Sequence, residues 1–345
     1  MIKKLVIFFL LAPLLAVTLW AAKAYYLINI WQFEGEAQVF QVRSGEAFPS
    51  INGRLAKVGL ISSSRIFYRY AQYHGLMGKF RRGSYLIPSG SKMPQVIEIL
   101  VYGKPIEKRL TIPEGRNLYE IGKILEQNGL TTYAQFLNAA KDPQLIRSLG
   151  IPAEGVEGYL YPDTYQFPDG SDAESIIRLM VDQSKKQLDN AGLKLGDLKA
   201  HSVVILASIV EKETGAGHER PMIAGVFLNR LKKRMRLQSD PTTIYGVYED
   251  YQGNITKAHL QQKTEYNTYK INGLPKGPIS NPGIEAIQAV LNPAKHDYLY
   301  FVSKNDGTHI FSETYQEHNE AVNEFQRKRH NRQGKSWRDL SKKAN

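Results

Sequence analysis

Val203-Val204-Ile205-Leu206-Ala207-Ser208-Ile209-Val210-Glu211-Lys212-Glu213-Thr214-Gly215 is the stretch on which the reading of this chain turns. Its apolar and small residues run together without a charge until Glu211. Such a run belongs to a buried element, and a helix is expected over 202–214. A carboxyl group at the end of a buried element sits where water is scarce, and low dielectric favours its protonated form. That is the state required of a group that gives a proton to a leaving group near neutral pH. Glu211 is the first candidate and Glu213 its rival. Two residues along a helix turn a side chain by about 200°, so the two glutamates do not face one cleft. Glu211 has the small residues Ala207 and Ser208 one turn back, which leaves room for a substrate, and it is preferred.

Downstream, a second helix is expected from Glu219-Arg220-Pro221 to Met235, with Ile223, Val226, Phe227 and Leu231 on one face. Loops rich in Tyr, Asn, Pro and Gly follow, from Arg236 to Gly283. Three clusters stand out: Arg236-Leu237-Gln238-Ser239-Asp240-Pro241-Thr242-Thr243-Ile244-Tyr245-Gly246, Tyr266-Asn267-Thr268-Tyr269, and Gly273 to Gly283. They offer amides, hydroxyls, phenols and backbone groups on turns, the mix that holds sugar hydroxyls and stacks on pyranose faces. Ordinary turn chemistry uses the same residue types. Asn281-Pro282 reads as an N-cap and first-turn proline for a helix carrying Ile284, Ile287, Val290 and Leu291. Tyr298–Val302 and His309–Phe311 read as a hairpin about Asn305-Asp306-Gly307, and a last helix runs from Tyr315 to about Arg329.

Upstream there is an internal repeat. Gly45, Phe48, Ile51, Leu55, Gly59 and Leu60 match Gly115, Leu118, Ile121, Leu125, Gly129 and Leu130 at an offset of seventy. Tyr85-Leu86-Ile87-Pro88-Ser89-Gly90-Ser91 matches Tyr165-Gln166-Phe167-Pro168-Asp169-Gly170-Ser171 at an offset of eighty. Copy two therefore carries about ten extra residues between 137 and 165, a segment that includes Glu157-Gly158-Tyr159-Leu160-Tyr161-Pro162-Asp163. An aromatic, acidic insertion in a duplicated scaffold is a natural place for function; a plain loop elongation is the bland alternative. Copy one, 38–105, is strand–helix–helix–strand–helix in outline and resembles a LysM-like βααβ module. That resemblance implies a hold on N-acetylated glycans, and a spacer role is the alternative.

At the N-terminus Lys3 and Lys4 precede eighteen uncharged residues, Leu5 to Ala22, with Tyr25, Tyr26 and Trp31 beyond. The length suits a membrane span. The two lysines favour a cytoplasmic N-terminus and the aromatics the far interface. A retained anchor is expected over 1–30, rather than a cleaved signal peptide, with the remainder outside the cytoplasmic membrane. The chain has 345 residues, 42% of them apolar, and a net charge of +12. Residues 327–345 hold eight Lys or Arg against one acid, Asp339, which reads as a solvated basic tail. There is no cysteine, which excludes disulfides, thiolate catalysis and Cys-ligated zinc. No His-Glu-x-x-His or phosphate-binding loop occurs, and no metal or cofactor is expected. Charge alone is no ground for nucleic-acid binding.

Leu206-Ala207-Ser208-Ile209-Val210-Glu211-Lys212-Glu213-Thr214 resembles the active-site segment of the endolytic murein transglycosylases, the MltG or YceG-like family. So do the Arg236–Thr242 and Tyr266–Tyr269 segments, Gly273-Leu274-Pro275, and Glu157-Gly158-Tyr159-Leu160-Tyr161-Pro162-Asp163-Thr164-Tyr165, in family order. The resemblance implies non-hydrolytic cleavage of the β-1,4 bond between N-acetylmuramic acid and N-acetylglucosamine in peptidoglycan glycan strands, leaving 1,6-anhydromuramyl ends. It assigns the catalytic acid/base to the position of Glu211 and implies action on nascent strands near cell-wall synthases. One acid suffices there, because the sugar's own C6 hydroxyl is the nucleophile. Glu157, Gln238, Asp240, Tyr245, Asn267 and Tyr269 are the substrate-binding candidates. Two rivals stand beside this reading. Ser89-Gly90-Ser91-Lys92 is a formal Ser-x-x-Lys match without a Lys-Thr-Gly or Ser-Asp-Asn partner. A non-catalytic glycan-binding scaffold is the other. The expectation is an α+β protein: a transmembrane helix within 1–30, a LysM-like module over 38–105, a mixed α+β catalytic domain over 106–330, and a basic tail over 331–345.

Overall fold

The N-terminal helix α1 (Ile2–Tyr25) runs into a π-helical turn, Tyr26–Ile30. Leu11–Ile30 is 20 residues long and apolar, none of its residues is buried, and its last turn touches the first unit at Leu27 and Ile28. It is long and apolar enough to cross a membrane. Leu14, Leu15, Leu19 and Trp20 are all exposed, which suits lipid and not water. The computed structural model describes residues 2–43 and 45–328, so the expected basic tail over 331–345 lies outside the described residues.

The chain divides into two compact units. One runs to Leu110 and also takes Gln166–Asp172; the other is Thr111–Tyr165 with the chain from Ala173 onward. In the first, β1 (Gln38–Val42), α2 (Phe48–Lys57), α3 (Ser64–Tyr73), β2 (Gly83–Ile87) and α4 (Met93–Tyr102) follow one another. β1 and β2 are antiparallel, with Phe40 opposite Tyr85. The helices start where local chemistry allows: Pro49 and Pro94 sit in first turns, and the Ser63 hydroxyl caps α3 by accepting from Ile66 N. Phe48, Ile51 and Leu55 share one face of α2 and bury with Phe67, Ala71, Tyr85, Ile87, Val96 and Leu100. The order is the expected βααβ with a further helix.

The repeat is visible in the backbone. β3 (Glu107–Thr111), α5 (Leu118–Gln127), α6 (Tyr133–Ala140), β4 (Thr164–Pro168) and α8 (Ala173–Asn190) restate the order of copy one, and β3 pairs with β4. Matched glycines share a left-handed backbone: φ is 69° at Gly45 and 71° at Gly115, and 78° at Gly90 and 80° at Gly170. Ser91 and Ser171 each donate to the carbonyl three residues back, Pro88 and Pro168, at 2.7 Å. The extra residues of copy two form α7 (Pro143–Leu149) and the turns leading to Asp163.

The second unit is built on α9 (Leu198–Glu213), capped by the Asp197 side chain. Val204 to Val210 are all buried, so α9 has no polar stripe. α10 (Arg220–Lys232) and, later in the chain, α13 (Ile284–Leu291) pack on it. The stretch expected as loops holds two short helices, α11 (Asp240–Gly246) and α12 (Lys257–Gln261). The hairpin is β5 (Tyr300–Ser303) with β6 (His309–Ser312), Tyr300 opposite Ser312. α14 (Tyr315–Val322) packs on it. One expectation needs correction: Gly283, not Asn281, is the N-cap residue of α13. The Asn281 side chain is occupied elsewhere, accepting from Leu160 N and donating to Arg116 O.

Candidate active site

The C-terminal turn of α9 sends its two glutamates in different directions, as the helical rotation requires. Glu211 meets Arg220 at the start of α10. Its Oε1 accepts from Arg220 Nη2 at 2.9 Å and its Oε2 from Gly283 N at 3.2 Å. The same Arg220 pairs with Glu285, and its Nη2 lies 3.5 Å from Glu114 Oε2. Burial raises the Glu114 carboxyl, and the charge of Glu211 raises it further. The Glu211 side chain is only 6% exposed. It is sheltered, but by a guanidinium and a backbone N–H instead of apolar side chains. Nor is there open room over the preceding turn. Ala207 and Ser208 are fully buried. Ser208 Oγ accepts from Ile279 N, and its carbonyl accepts from the Ser280 hydroxyl, both at 3.0 Å.

Glu213 meets the loop before α11. Ser239 Oγ donates to its Oε1 at 2.5 Å. Burial pushes its carboxyl up to about 7; the Asp240 charge adds to the rise, while the Ser239 bond and Arg230 oppose it. Part of its surface still reaches solvent. Ser239 is itself fixed, its N–H donating to Thr268 Oγ1 at 3.0 Å. Gln238 beside it is exposed and left-handed, with φ 51°. Arg230 is buried and donates to the carbonyls of Leu299 and Leu237 at 2.6 and 2.7 Å, tying the hairpin to this loop. The Tyr269 hydroxyl donates to Asp240 Oδ1 at 2.7 Å.

Beside these groups lies a cleft of about 1240 Å³, lined among others by Lys123, Lys212, Asp240, Tyr245 and Tyr248. Lys212 sits between the two glutamates in sequence, and its Nζ donates to Gly115 O at 3.1 Å. Tyr119 stacks on Tyr248 with centroids 4.5 Å apart, and Tyr245 leans on Tyr266 at 4.8 Å. Flat rings edged by hydroxyls, carboxylates and ammonium groups suit a polar ring-shaped ligand. Glu157 is buried beside Tyr245, a residue of the cleft wall. It accepts from Leu118 N at 2.9 Å, from Asn281 Nδ2 at 2.8 Å and from Tyr245. Burial pushes its carboxyl up to about 8. It therefore joins the start of α5, the Asn281 loop and α11.

Of the residues expected to bind substrate, Asp240 and Tyr245 line the cleft, and Tyr269 reaches it through Asp240. Gln238 stands next to Ser239. Asn267 is fully buried, its amide donating to the carbonyls of His259, Leu260 and Gln262 and its oxygen accepting from Thr243 and Tyr269 N. Asn267 and Glu157 thus hold loops in place. The Gln238–Asp240 loop contacts Glu213, not Glu211. Sequence reasoning missed Ser239, Arg220, Arg230 and the Tyr119–Tyr248 stack. Ser239 lay inside a quoted cluster; the charged Arg220 and Arg230 carry no pattern that marks them as buried.

A family model described as YceG-like matches residues 40–324. The chain is 32% identical over 302 residues to the endolytic murein transglycosylase of Bacillus subtilis (strain 168), covering 82% of this chain and 83% of that protein. It is 31% identical over 317 residues to the endolytic murein transglycosylase of Streptococcus pneumoniae strain D39, covering 82% of this chain and 57% of that protein. A YceG-like protein of Listeria monocytogenes, solved by crystallography, superposes with a TM-score of 0.55 at 32% identity, over 83% of this chain and 99% of that one.

Proposed function

The chain belongs to the YceG-like family, and on that footing we propose that it is a lytic transglycosylase of peptidoglycan, cutting within glycan strands, with Glu213 as the proton donor. The observation that carries this choice is the setting of Glu213: a carboxyl pushed up to about 7, bonded to Ser239, one residue past Lys212 and beside Asp240, both in the cleft wall. An acid with that affinity for its proton is half charged near neutral pH, the best compromise for giving and then taking a proton.

Glu213 protonates the glycosidic oxygen as the C1–O bond of N-acetylmuramic acid breaks. The carboxylate so formed takes the proton of that sugar's C6 hydroxyl while O6 bonds to C1, closing the 1,6-anhydro ring. No water is consumed and the enzyme is returned protonated. Asp240, held by Tyr269, supplies negative charge for the oxocarbenium character of the transition state. Tyr245 and Tyr248 form part of the wall against which the sugar rings lie. In this reading Glu211, to which the family resemblance pointed, braces the end of α9 through Arg220 and Gly283, and Glu157 and Asn267 brace the walls. The apolar N-terminal helix anchors the protein in the cytoplasmic membrane with Lys3 and Lys4 inside. Both units then lie outside, where strands are made, and the first unit serves as a LysM-like glycan contact.

A second reading has one observation in its favour. Asp240 is close enough for its charge to raise Glu213, and a pair of carboxyl groups is what a hydrolytic glycosidase uses. Mass spectrometry of glycan strands incubated with the native chain, Glu211→Gln and Glu213→Gln tests both. Anhydromuramyl ends are expected from the native chain and from Glu211→Gln, and not from Glu213→Gln. Activity that survives in Glu213→Gln and vanishes in Glu211→Gln returns the acid to position 211. Reducing ends mean hydrolysis, with Asp240 as the second carboxylate.

A further inference from the structure

Residues 47–97 contain eight Lys or Arg and not one Asp or Glu. This segment is folded in the first unit and touches the end of the apolar N-terminal helix. Ser62 Oγ donates to Leu27 O at 3.0 Å. Ile28 and Trp31 pack against the core of the unit. Gln32 forms a β-bridge with Lys92, and Phe33 N donates to Ser91 O at 2.9 Å. The last turn of the span therefore touches the chain just before α3, and beyond Ile30 the chain passes directly into contact with Lys92.

α3 is amphipathic. Phe67 and Ala71 are buried. Arg65, Tyr68, Arg69 and Tyr73, spaced by three and four residues, are exposed, Tyr73 at 87%. The helix rises about 1.5 Å per residue, so Arg65 and Arg69 lie within about 2 and 8 Å of its start along the axis, whichever way it points. Ser62, two residues before α3, is bonded to Leu27 in the last turn of the span, so both arginines lie on the order of one Debye length, ~8 Å, from its end. Basic and aromatic side chains on one face are the composition that settles at a lipid interface.

We propose that this face of α3, with Lys92, is a contact surface for the anionic phospholipid headgroups of the membrane that carries the N-terminal helix. It rests on the reading of that helix as an anchor and is independent of the assignment of the catalytic acid. Arginine forks bind headgroup phosphates by paired charge-assisted hydrogen bonds. The tyrosines lie at the level of the headgroups. Each basic side chain near an anionic surface strengthens attachment by about fivefold. The contact holds the first unit down on the bilayer instead of letting it swing on a single helix.

The chain has no cysteine, so Gln72→Cys, on the exposed face of α3, gives one unambiguous label position. The full-length labelled chain is placed in nanodiscs of phosphatidylcholine alone or mixed with phosphatidylglycerol, and quenching by a headgroup-attached quencher is read. Retention of the chain in the discs tests the anchor separately. Stronger quenching is expected in the anionic discs, lost in high salt and lost in the Arg65→Gln, Arg69→Gln variant, whose thermal unfolding serves as the folding control. Inorganic phosphate at matched ionic strength should not displace the contact if the source is a lipid surface. Equal quenching in both lipids overturns the proposal. So does a variant that folds and behaves as native, or protection of the label in neutral discs by an anionic wall polymer alone.

Discussion

Replacing Glu213 with Gln tests the catalytic assignment through stability as well as rate. The carboxyl rises from its ordinary value of 4.5 to about 7 on folding. Between those values the folded protein binds a proton that the unfolded chain has released. The contribution of this group to stability is therefore intact below pH 4.5 and is lost as the pH climbs to 7. Each tenfold change in acid strength is worth about 1.4 kcal/mol, which puts the full loss at about 3 kcal/mol. Glu213 keeps part of its surface in water, and solvent screens the penalty, so about 1–3 kcal/mol is the expected size. Gln removes the charge and keeps an oxygen for the Ser239 hydroxyl. Glu213→Gln should thus unfold at a higher temperature than the native chain at pH 8, by roughly 2–10 °C, and differ little at pH 5. The same variant should lose about 10²–10⁴ in the rate of anhydromuramyl formation, the usual worth of a positioned acid. Calorimetry at the two pH values and product analysis on one preparation give both numbers. A variant that is less stable at pH 8, or that cleaves within tenfold of the native rate, refutes the reasoning.

Glu211→Gln should do the reverse. It weakens the pairing of Arg220, which keeps Glu285 and Glu114, and should cost about 1–3 kcal/mol in thermal unfolding while cleavage per folded molecule falls by less than for Glu213→Gln. Glu157 is held up at about 8, so its contribution to stability is present at acid pH and lost as the pH rises toward 8. Glu157→Gln should flatten the native stability–pH curve between pH 4.5 and 8, and a variant that keeps the native slope there would show that this buried carboxyl does not titrate in that range. Gly158 has φ 85°, and a Cβ there would stand 2.5 Å from Pro278 and 2.9 Å from Val204. Gly158→Ala should cost about 3 kcal/mol or more, read as loss of soluble protein or a large drop in unfolding temperature.

Much of the fold was legible because it rests on local signals. The apolar run before Glu211 is α9. The Gly-punctuated repeat gives two βααβ copies whose matched glycines share a backbone conformation. The Asn305-Asp306-Gly307 turn closes the hairpin. The site was less legible, because what distinguishes the two glutamates is which distant residues they meet. Arg220 is nine positions beyond Glu211 and reaches it only because the chain reverses between α9 and α10. Ser239 reaches Glu213 from a loop whose geometry depends on Thr268. Asn281 looked like a helix cap by its place before Pro282; its side chain instead satisfies Leu160 N and Arg116 O, partners more than a hundred residues away. Local pattern identifies groups that can ionise. It does not say whether a cation or a hydroxyl will be waiting for them.

The first unit is discontinuous, and that bears on how the protein is made. Its early part, up to Leu110, is completed by Gln166–Asp172. Asp169 accepts from Ser84 at 2.6 Å and pairs with Lys108 at 3.0 Å, and Asp172 pairs with Arg82 at 2.9 Å. On the proposed anchoring, a chain emerging from the ribosome has its apolar helix ready for insertion long before residue 172 appears, and the first unit waits half-assembled beside the lipid. Truncation after Leu110 should therefore leave a partly open intermediate, and permutation that splices 166–172 directly onto 110 is the route to isolating that unit intact.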